Sequence, residues 1–325
     1  MPTIAIIGSG QIGSRHLQAI SLIDRPVSVQ VVDPDAESLK VAKERFNQCG
    51  KSDNVLNVDF LGSIPDLSDN LDLVIVATGA KVRRPLVEAL IAQKKVRYLI
   101  LEKFLFQKTE DLQFIKELLA NAGVKTWVNC PYRMVPFYKE LKSKFSKTTK
   151  LDYSVSGSLI GIGCNAIHYL DMLAYFSGQS DFVLFNDLLD KTIIPSKRPG
   201  FIEFTGTLHG KSSAGSRFAL TSFTHGEAPV VISIVTDALR CTIRENEAKC
   251  WISEAITNWV WQEIDFVIPY QSQLTHLAIQ KILDTDSCDL TTYEESSRLH
   301  AQLLETFSKH LYENSVLEDG VCPIT

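Results

Sequence analysis

The chain has 325 residues, of which 45% are hydrophobic and 22% charged, and its formal net charge is −5 at pH 7. This length predicts two domains, and the composition is that of a globular chain with sizeable cores. The acidic balance excludes the basic patch a nucleic-acid binder needs, and no apolar run approaches the ~20 residues of a membrane-spanning helix.

The start of the chain has no basic segment leading into an apolar core, so no secretion signal is expected and the location is expected to be cytoplasmic. The seven cysteines, at 49, 130, 164, 241, 250, 288 and 322, form no CxxC pair, and the histidines show no HExxH spacing. Reduced thiols and no metal site are expected.

TIAIIG (3–8) is an apolar run closed by glycine, which reads as a buried strand. Residues 11–22 place Ile12, Leu17 and Ile20 in rough helical register. VSVQVVD (27–33) is a second strand. DPDAESLKVAKERF then has acids early and Lys and Arg late, the order a helix dipole prefers. DLVIVAT (72–78) and VRYLILE (96–102) are near-continuous apolar strands, with the helical VRRPLVEALIAQ between them. TEDLQFIKELLANAG reads as a helix capped by Thr109 and stopped at Gly123, and KTWVNC as a strand. Strands apolar on both faces that alternate with helices predict a parallel, doubly wound α/β domain of Rossmann type over residues 1–128.

From about residue 150 the pattern changes. LDYSVSGSLIG, FVLFNDLL, FIEFTGTLHG, RFALTSFTHG, PVVISIVTD, LRCTIRE and KCWISE are strand-like and separated by short turn clusters. Helical stretches are expected at 137–147, 165–176, 271–284 and 292–312. Residues 129–325 therefore read as an α+β domain with a large, mostly antiparallel open sheet.

In GSGQIG, Gly8, Gly10 and Gly13 lie between the first strand and the first helix. The first glycine permits a tight turn, the second lets backbone approach a pyrophosphate, and the third lets helix and strand pack closely. The helix start offers free N–H groups to phosphate. Asp33 ends the second strand twenty residues after Gly13, where a carboxylate meets the adenosine ribose hydroxyls and repels a 2′-phosphate. No Arg stands beside it for that phosphate, so NAD is expected rather than NADP. The cofactor-binding set expected from the sequence is Gly8, Ser9, Gly10, Gln11, Ile12, Gly13, Asp33, Thr78, Gly79, Glu102 and Lys103. A Lys at the carboxyl end of a parallel strand faces the ligand crevice, although Lys103 taken alone reads rather as a solvated strand end paired with Glu102.

GSGQIGSRHL, the strand end Glu102-Lys103, the run NCPYRMVP and the helix CNAIHYLD occur in that order. Together they resemble the Gfo/Idh/MocA oxidoreductases, the glucose–fructose oxidoreductase and inositol dehydrogenase family. The resemblance implies a nucleotide domain followed by an open-sheet substrate domain. It also implies NAD-dependent hydride transfer at a secondary hydroxyl or keto group of a sugar, polyol or nucleotide-linked sugar.

The resemblance makes Lys103 and His168 the catalytic pair and has them meet over the nicotinamide. It makes Asn129, Arg133, Asn165 and Asp171 substrate-binding or orienting. It further implies a homodimer or homotetramer formed through the open sheet face, with a small sugar-like molecule as partner and no nucleic acid or membrane. Three departures stand out. Phe104 follows Lys103 where the family has Pro, Cys164 stands where it has Asp, and Gly79, Ala80 and Arg83 replace its Pro-Asn and His. Phe104 and Cys164 keep open a dinucleotide-binding sensor or regulator that has lost catalysis, and the scaffold itself leaves open a reductase of a non-sugar carbonyl or imine. Without the resemblance, His168 beside Tyr169 and Leu170 reads as a packed core or surface histidine.

Overall fold

The structure is a computed structural model that describes residues 1–50, 52–146, 149–316 and 320–325. The chain divides into two compact units. The first comprises Met1–Phe106, Glu110–Met134 and Pro269–Glu294, and the second Gln107–Thr109, Val135–Ile268 and Glu295–Thr325.

The first unit is built on a seven-stranded sheet. Its chain-order strands are β1 (Thr3–Ile7), β2 (Val27–Val32), β3 (Val55–Leu61), β4 (Asn70–Val76), β5 (Lys95–Leu101), β6 (Lys125–Val128) and β17 (Thr291–Thr292). The spatial order is β17-β6-β5-β4-β1-β2-β3. All neighbours are parallel except β17, which runs antiparallel to β6. The helices between strands are α1 (Gln11–Ile20), α2 (Ala36–Asn47), α3 (Ala80–Gln93) and α4 (Thr109–Asn121). The doubly wound reading of the sequence is what the chain adopts. The additional strand β3 escapes that reading because it is an edge strand, only partly buried, with Asn57 and Asp59 breaking its apolar pattern.

The boundary placed after residue 128 moves. Residues 129–134 fold with the first unit, and so does the stretch 269–294. That stretch carries α7 (Thr275–Thr285), whose Leu274, Ala278, Ile279 and Ile282 lie in one apolar cluster with Ile4, Ile6, Leu17, Ile75, Ile100 and Trp127. A parallel sheet must be covered on both faces. The helices between the strands leave part of one face to a segment that returns from far along the chain.

The second unit holds an eight-stranded sheet in the order β16-β15-β14-β13-β7-β12-β11-β8. Its strands are β7 (Asp152–Ser158), β8 (Phe182–Leu189), β11 (Gly206–Ser212), β12 (Arg217–Phe223), β13 (Val231–Val235), β14 (Leu239–Arg244), β15 (Lys249–Glu254) and β16 (Gln262–Asp265). The pairings are antiparallel except β7 with β12, which is parallel. Burial alternates residue by residue along β12, β13 and β14, so one face is covered and the other is open. A short pair, β9 (Ile194–Pro195) with β10 (Ile202–Glu203), stands beside it.

The unit's helices are α5 (Pro136–Ser143), α6 (Ile162–Ser177) and most of α8 (Tyr293–Glu313). The helix expected over 137–147 ends at Ser143, and its last expected residue lies outside the described ones. α6 is buried almost all round, as its composition requires. Among the described residues no helix is long and apolar enough to cross a membrane.

Candidate functional site

In the first unit, chain direction reverses between β1 and β4: β1 leads outward to β2 and β3, and β4 to β5 and β6. Ligands of open parallel sheets bind beyond the strand carboxyl ends at such a switch point. The glycine loop sits there. Gly8 has φ +93°, a conformation that disfavours any Cβ. A Cβ on Gly13 would lie 1.8 Å from the Gly8 carbonyl oxygen, so the glycine is what lets α1 start against β1. A Cβ on Gly10 would meet nothing within 4 Å. The backbone is open there, as a pyrophosphate requires.

Asp33 follows β2, and its position is set by the loop itself. Ser9 donates to Asp33 Oδ2 from its backbone N–H at 2.7 Å and from its hydroxyl at 3.0 Å. The Asp35 N–H donates to Oδ1 at 3.0 Å. The carboxylate is thereby fixed beside the glycines, with lone pairs left for hydroxyl donors. Gln11 and Ile12 open α1 and are exposed. Thr78 follows β4, and its buried hydroxyl oxygen has no partner among the described residues. An open backbone at Gly10 and an orphaned hydroxyl at Thr78 fit a dinucleotide across the switch point. Gly79 caps the start of α3.

At the end of β5 the structure holds a network that the sequence did not reveal. Glu102 is 6% exposed, and its Oε1 lies 2.9 Å from His16 Nε2 and accepts from Asn129 Nδ2 at 2.5 Å. Asn129 Nδ2 also donates to Gln271 Oε1 at 3.0 Å. Nδ1 of His16 is 2.8 Å from the Thr275 hydroxyl, which accepts from Gln271 Nε2 at 2.9 Å. A carboxylate only accepts, so the His16 proton sits on Nε2.

Burial works to raise the Glu102 pKa. The hydrogen bond and charge of His16, the Asn129 amide and the charge of Lys103 together hold it below the ordinary carboxylate range. Glu102, expected at the cofactor, turns an acceptor oxygen and its charge to the protein interior. Asn129, expected at the substrate, turns its amide donor there too, and both lie in the first unit. Lys103 is half-buried directly beyond Glu102, and the Lys103–Phe104 peptide is cis. Arg133 is buried in the same unit. The sequence pointed to Glu102 and Asn129 but not to the network's other members His16, Gln271 and Thr275.

The remaining expected residues lie on α6 of the second unit. Cys164, Asn165 and His168 are half-buried, and Asp171 is fully buried. Asn165 Nδ2 donates to the Ile160 carbonyl at 2.7 Å, which ties the helix to its own entry. Glu203, which the sequence reading did not single out, closes the helix start: its Oε2 accepts from the Gly163 N–H at 2.6 Å and the Cys164 N–H at 3.4 Å. A carboxylate at this end also meets the positive end of the helix dipole. A cavity of about 340 Å³ opens here, lined by Cys164, Asn165, Ile194, Arg198, Glu203 and Phe204 among others. Among the described residues no group of three or more His, Cys, Asp or Glu could hold a metal ion.

The model of the oxidoreductase family with an NAD-binding Rossmann fold, Gfo/Idh/MocA, matches residues 3–130. Residues 3–130 are therefore similar to the NAD-binding domain of that family. Solved structures share its fold over almost their whole length. An oxidoreductase from Agrobacterium radiobacter, in complex with NAD+, L-tartaric acid and magnesium, superposes with a TM-score of 0.70 at 17% identity, covering 94% of each chain. UDP-N-acetylglucosamine 3-dehydrogenase from Acidithiobacillus ferrooxidans gives 0.69 at 14% identity over 98% of each. The super-repressor mutant of Gal80p from Saccharomyces cerevisiae gives 0.72 at 13% over 96% of each. At such identities the likeness shows the fold alone. No curated protein matches. The matched model describes an NAD-binding oxidoreductase domain, and NAD is the cofactor of this nucleotide domain.

Proposed function

We propose that this protein is an NAD-dependent oxidoreductase that moves hydride between the nicotinamide and a secondary hydroxyl or keto carbon of a sugar, polyol or nucleotide-linked sugar. The observation that carries this is the complete dinucleotide loop, with Gly10 open and Asp33 locked by Ser9, on a sheet whose β5 is followed by Glu102 and Lys103. The fold shared with a UDP-N-acetylglucosamine dehydrogenase supports the sugar class.

When bound, the cofactor supplies the hydride acceptor or donor. Gly8, Ser9, Gly10, Gln11, Ile12 and Gly13 would hold its pyrophosphate, Asp33 its ribose, and Thr78 and Gly79 the second half. Lys103 and His168 hold the substrate hydroxyl and carry its proton, a contribution typically worth ~10²–10⁴ in rate. Arg133, Asn165 and Asp171 orient substrate or catalytic groups. Asn129 acts through Glu102, which in turn sets the electrostatics around Lys103. The open sheet face, where Val183, Phe185, Leu188 and Phe223 are exposed, is the surface we assign to a homodimer or homotetramer. We assign the protein to the cytoplasm.

The test is a panel of free and nucleotide-linked sugars with NAD+, and their keto forms with NADH, followed at the reduced-nicotinamide absorbance band. Turnover is expected with at least one member. It should vanish in Lys103→Ala while NADH binding survives. Turnover that persisted in Lys103→Ala would refute the proton path. Binding of NAD without turnover of any member would favour a regulatory role, the kind borne by Gal80p on this same fold.

A further inference from the structure

A fully buried charge of the nucleotide-binding unit lies outside the glycine loop. Arg83, in the first turn of α3, is 1% exposed. Its Nη1 donates to the Phe104 carbonyl and, at 2.7 Å, to the Leu105 carbonyl. Its Nη2 donates to the Thr78 carbonyl, and its Nε has no partner among the described residues. These carbonyls belong to the two segments that leave β4 and β5. One guanidinium therefore ties the loop carrying Thr78 to the backbone just after Lys103, at the sheet edge that takes the second half of a dinucleotide.

Charge counting in this corner is simple. Arg83, Lys103 and, when protonated, His16 are the cations, and Glu102 is the anion that acts on all three. The Glu102 carboxylate is already shared with His16 and Asn129. Burial lowers the Arg83 pKa to about 10, which leaves the group charged at neutral pH. The carbonyls that hold it are dipoles, which solvate a charge without cancelling it. The corner keeps an excess positive charge in a place poorly screened by water. The oxidised nicotinamide ring is a cation, whereas the reduced ring is neutral. A fixed cation penalises the first form and leaves the second unaffected.

We propose that Arg83 is a positioning residue of the nicotinamide half of the site, and that its buried charge makes the protein select reduced over oxidised cofactor. This deepens the NAD reading and rests on it.

The experiment measures the dissociation constants of NADH and NAD+ by calorimetry on the full chain, for the wild type, Arg83→Lys and Arg83→Gln. The wild type is expected to prefer NADH by about tenfold or more, or ~1.4 kcal/mol. Arg83→Gln should shrink that preference by at least about fivefold, whatever happens to each affinity, because loosening of the loops alone would weaken both forms alike. Arg83→Lys keeps the charge and should keep the preference. An Arg83→Gln protein with the wild-type ratio would overturn the proposal. Should that variant not fold, a wild type that binds the two forms equally, or prefers NAD+, overturns it just as directly. Binding of neither form by the wild type would instead overturn the cofactor reading.

Discussion

Adding one methyl group at two positions of the glycine loop separates packing from binding. At Gly13 a Cβ would stand 1.8 Å from the Gly8 carbonyl oxygen and 2.8 Å from its carbonyl carbon. Both atoms are backbone, so no side-chain rotation relieves the contact, and α1 must move off β1 by more than an ångström. Overpacking of this kind costs about 3 kcal/mol, which for a domain of this size lowers Tm by roughly 6–12 °C. At Gly10 the same methyl meets nothing within 4 Å, so Gly10→Ala should leave Tm unchanged. It would fill the space through which backbone approaches the pyrophosphate, and cofactor affinity should fall by at least about tenfold, or ~1.4 kcal/mol. Differential scanning calorimetry with and without NADH reads both effects. The reasoning fails if Gly13→Ala melts with the wild type, or if Gly10→Ala binds NADH unimpaired.

Two further outcomes follow from buried carboxylates. The folded pKa of Glu102 lies below its unfolded value of 4.5, so its contribution to stability is complete above that value and is lost as pH falls through the folded one. The unfolding midpoint should drop between about pH 5 and 3, and Glu102→Gln should flatten this part of the profile; identical profiles would show that the network carries no such linkage. Glu203→Ala removes the acceptor at the start of α6 and should cost about 1–2 kcal/mol in urea denaturation. A midpoint equal to that of the wild type would assign the cap to solvent instead.

The first ~130 residues are legible because their information is local. An apolar run long enough for a strand, a glycine triplet and an acid at a set distance all lie within one βαβ unit, so Gly8, Gly10, Gly13 and Asp33 stand where spacing puts them. The alternating strands of the second unit are legible for the same reason, since period-two burial follows from the pleat. The edge strand β3 and the return of α7 to the first unit are not. Whether an apolar helix face covers one sheet or another depends on which surface remains uncovered once the chain has folded.

The chemical environment of Lys103 was likewise decided in three dimensions. His16 and Glu102 are 86 positions apart, and His16 and Thr275 are 259 apart. Such pairs leave no periodic trace along the chain, because a buried hydrogen bond needs only that two groups arrive at one place. The sequence by itself determined that a nucleotide loop and an ordered parallel sheet exist. Only the tertiary structure decided that Glu102 and Asn129 face inward and that Arg83 is sealed among carbonyls, because desolvation and pairing act on final positions in space.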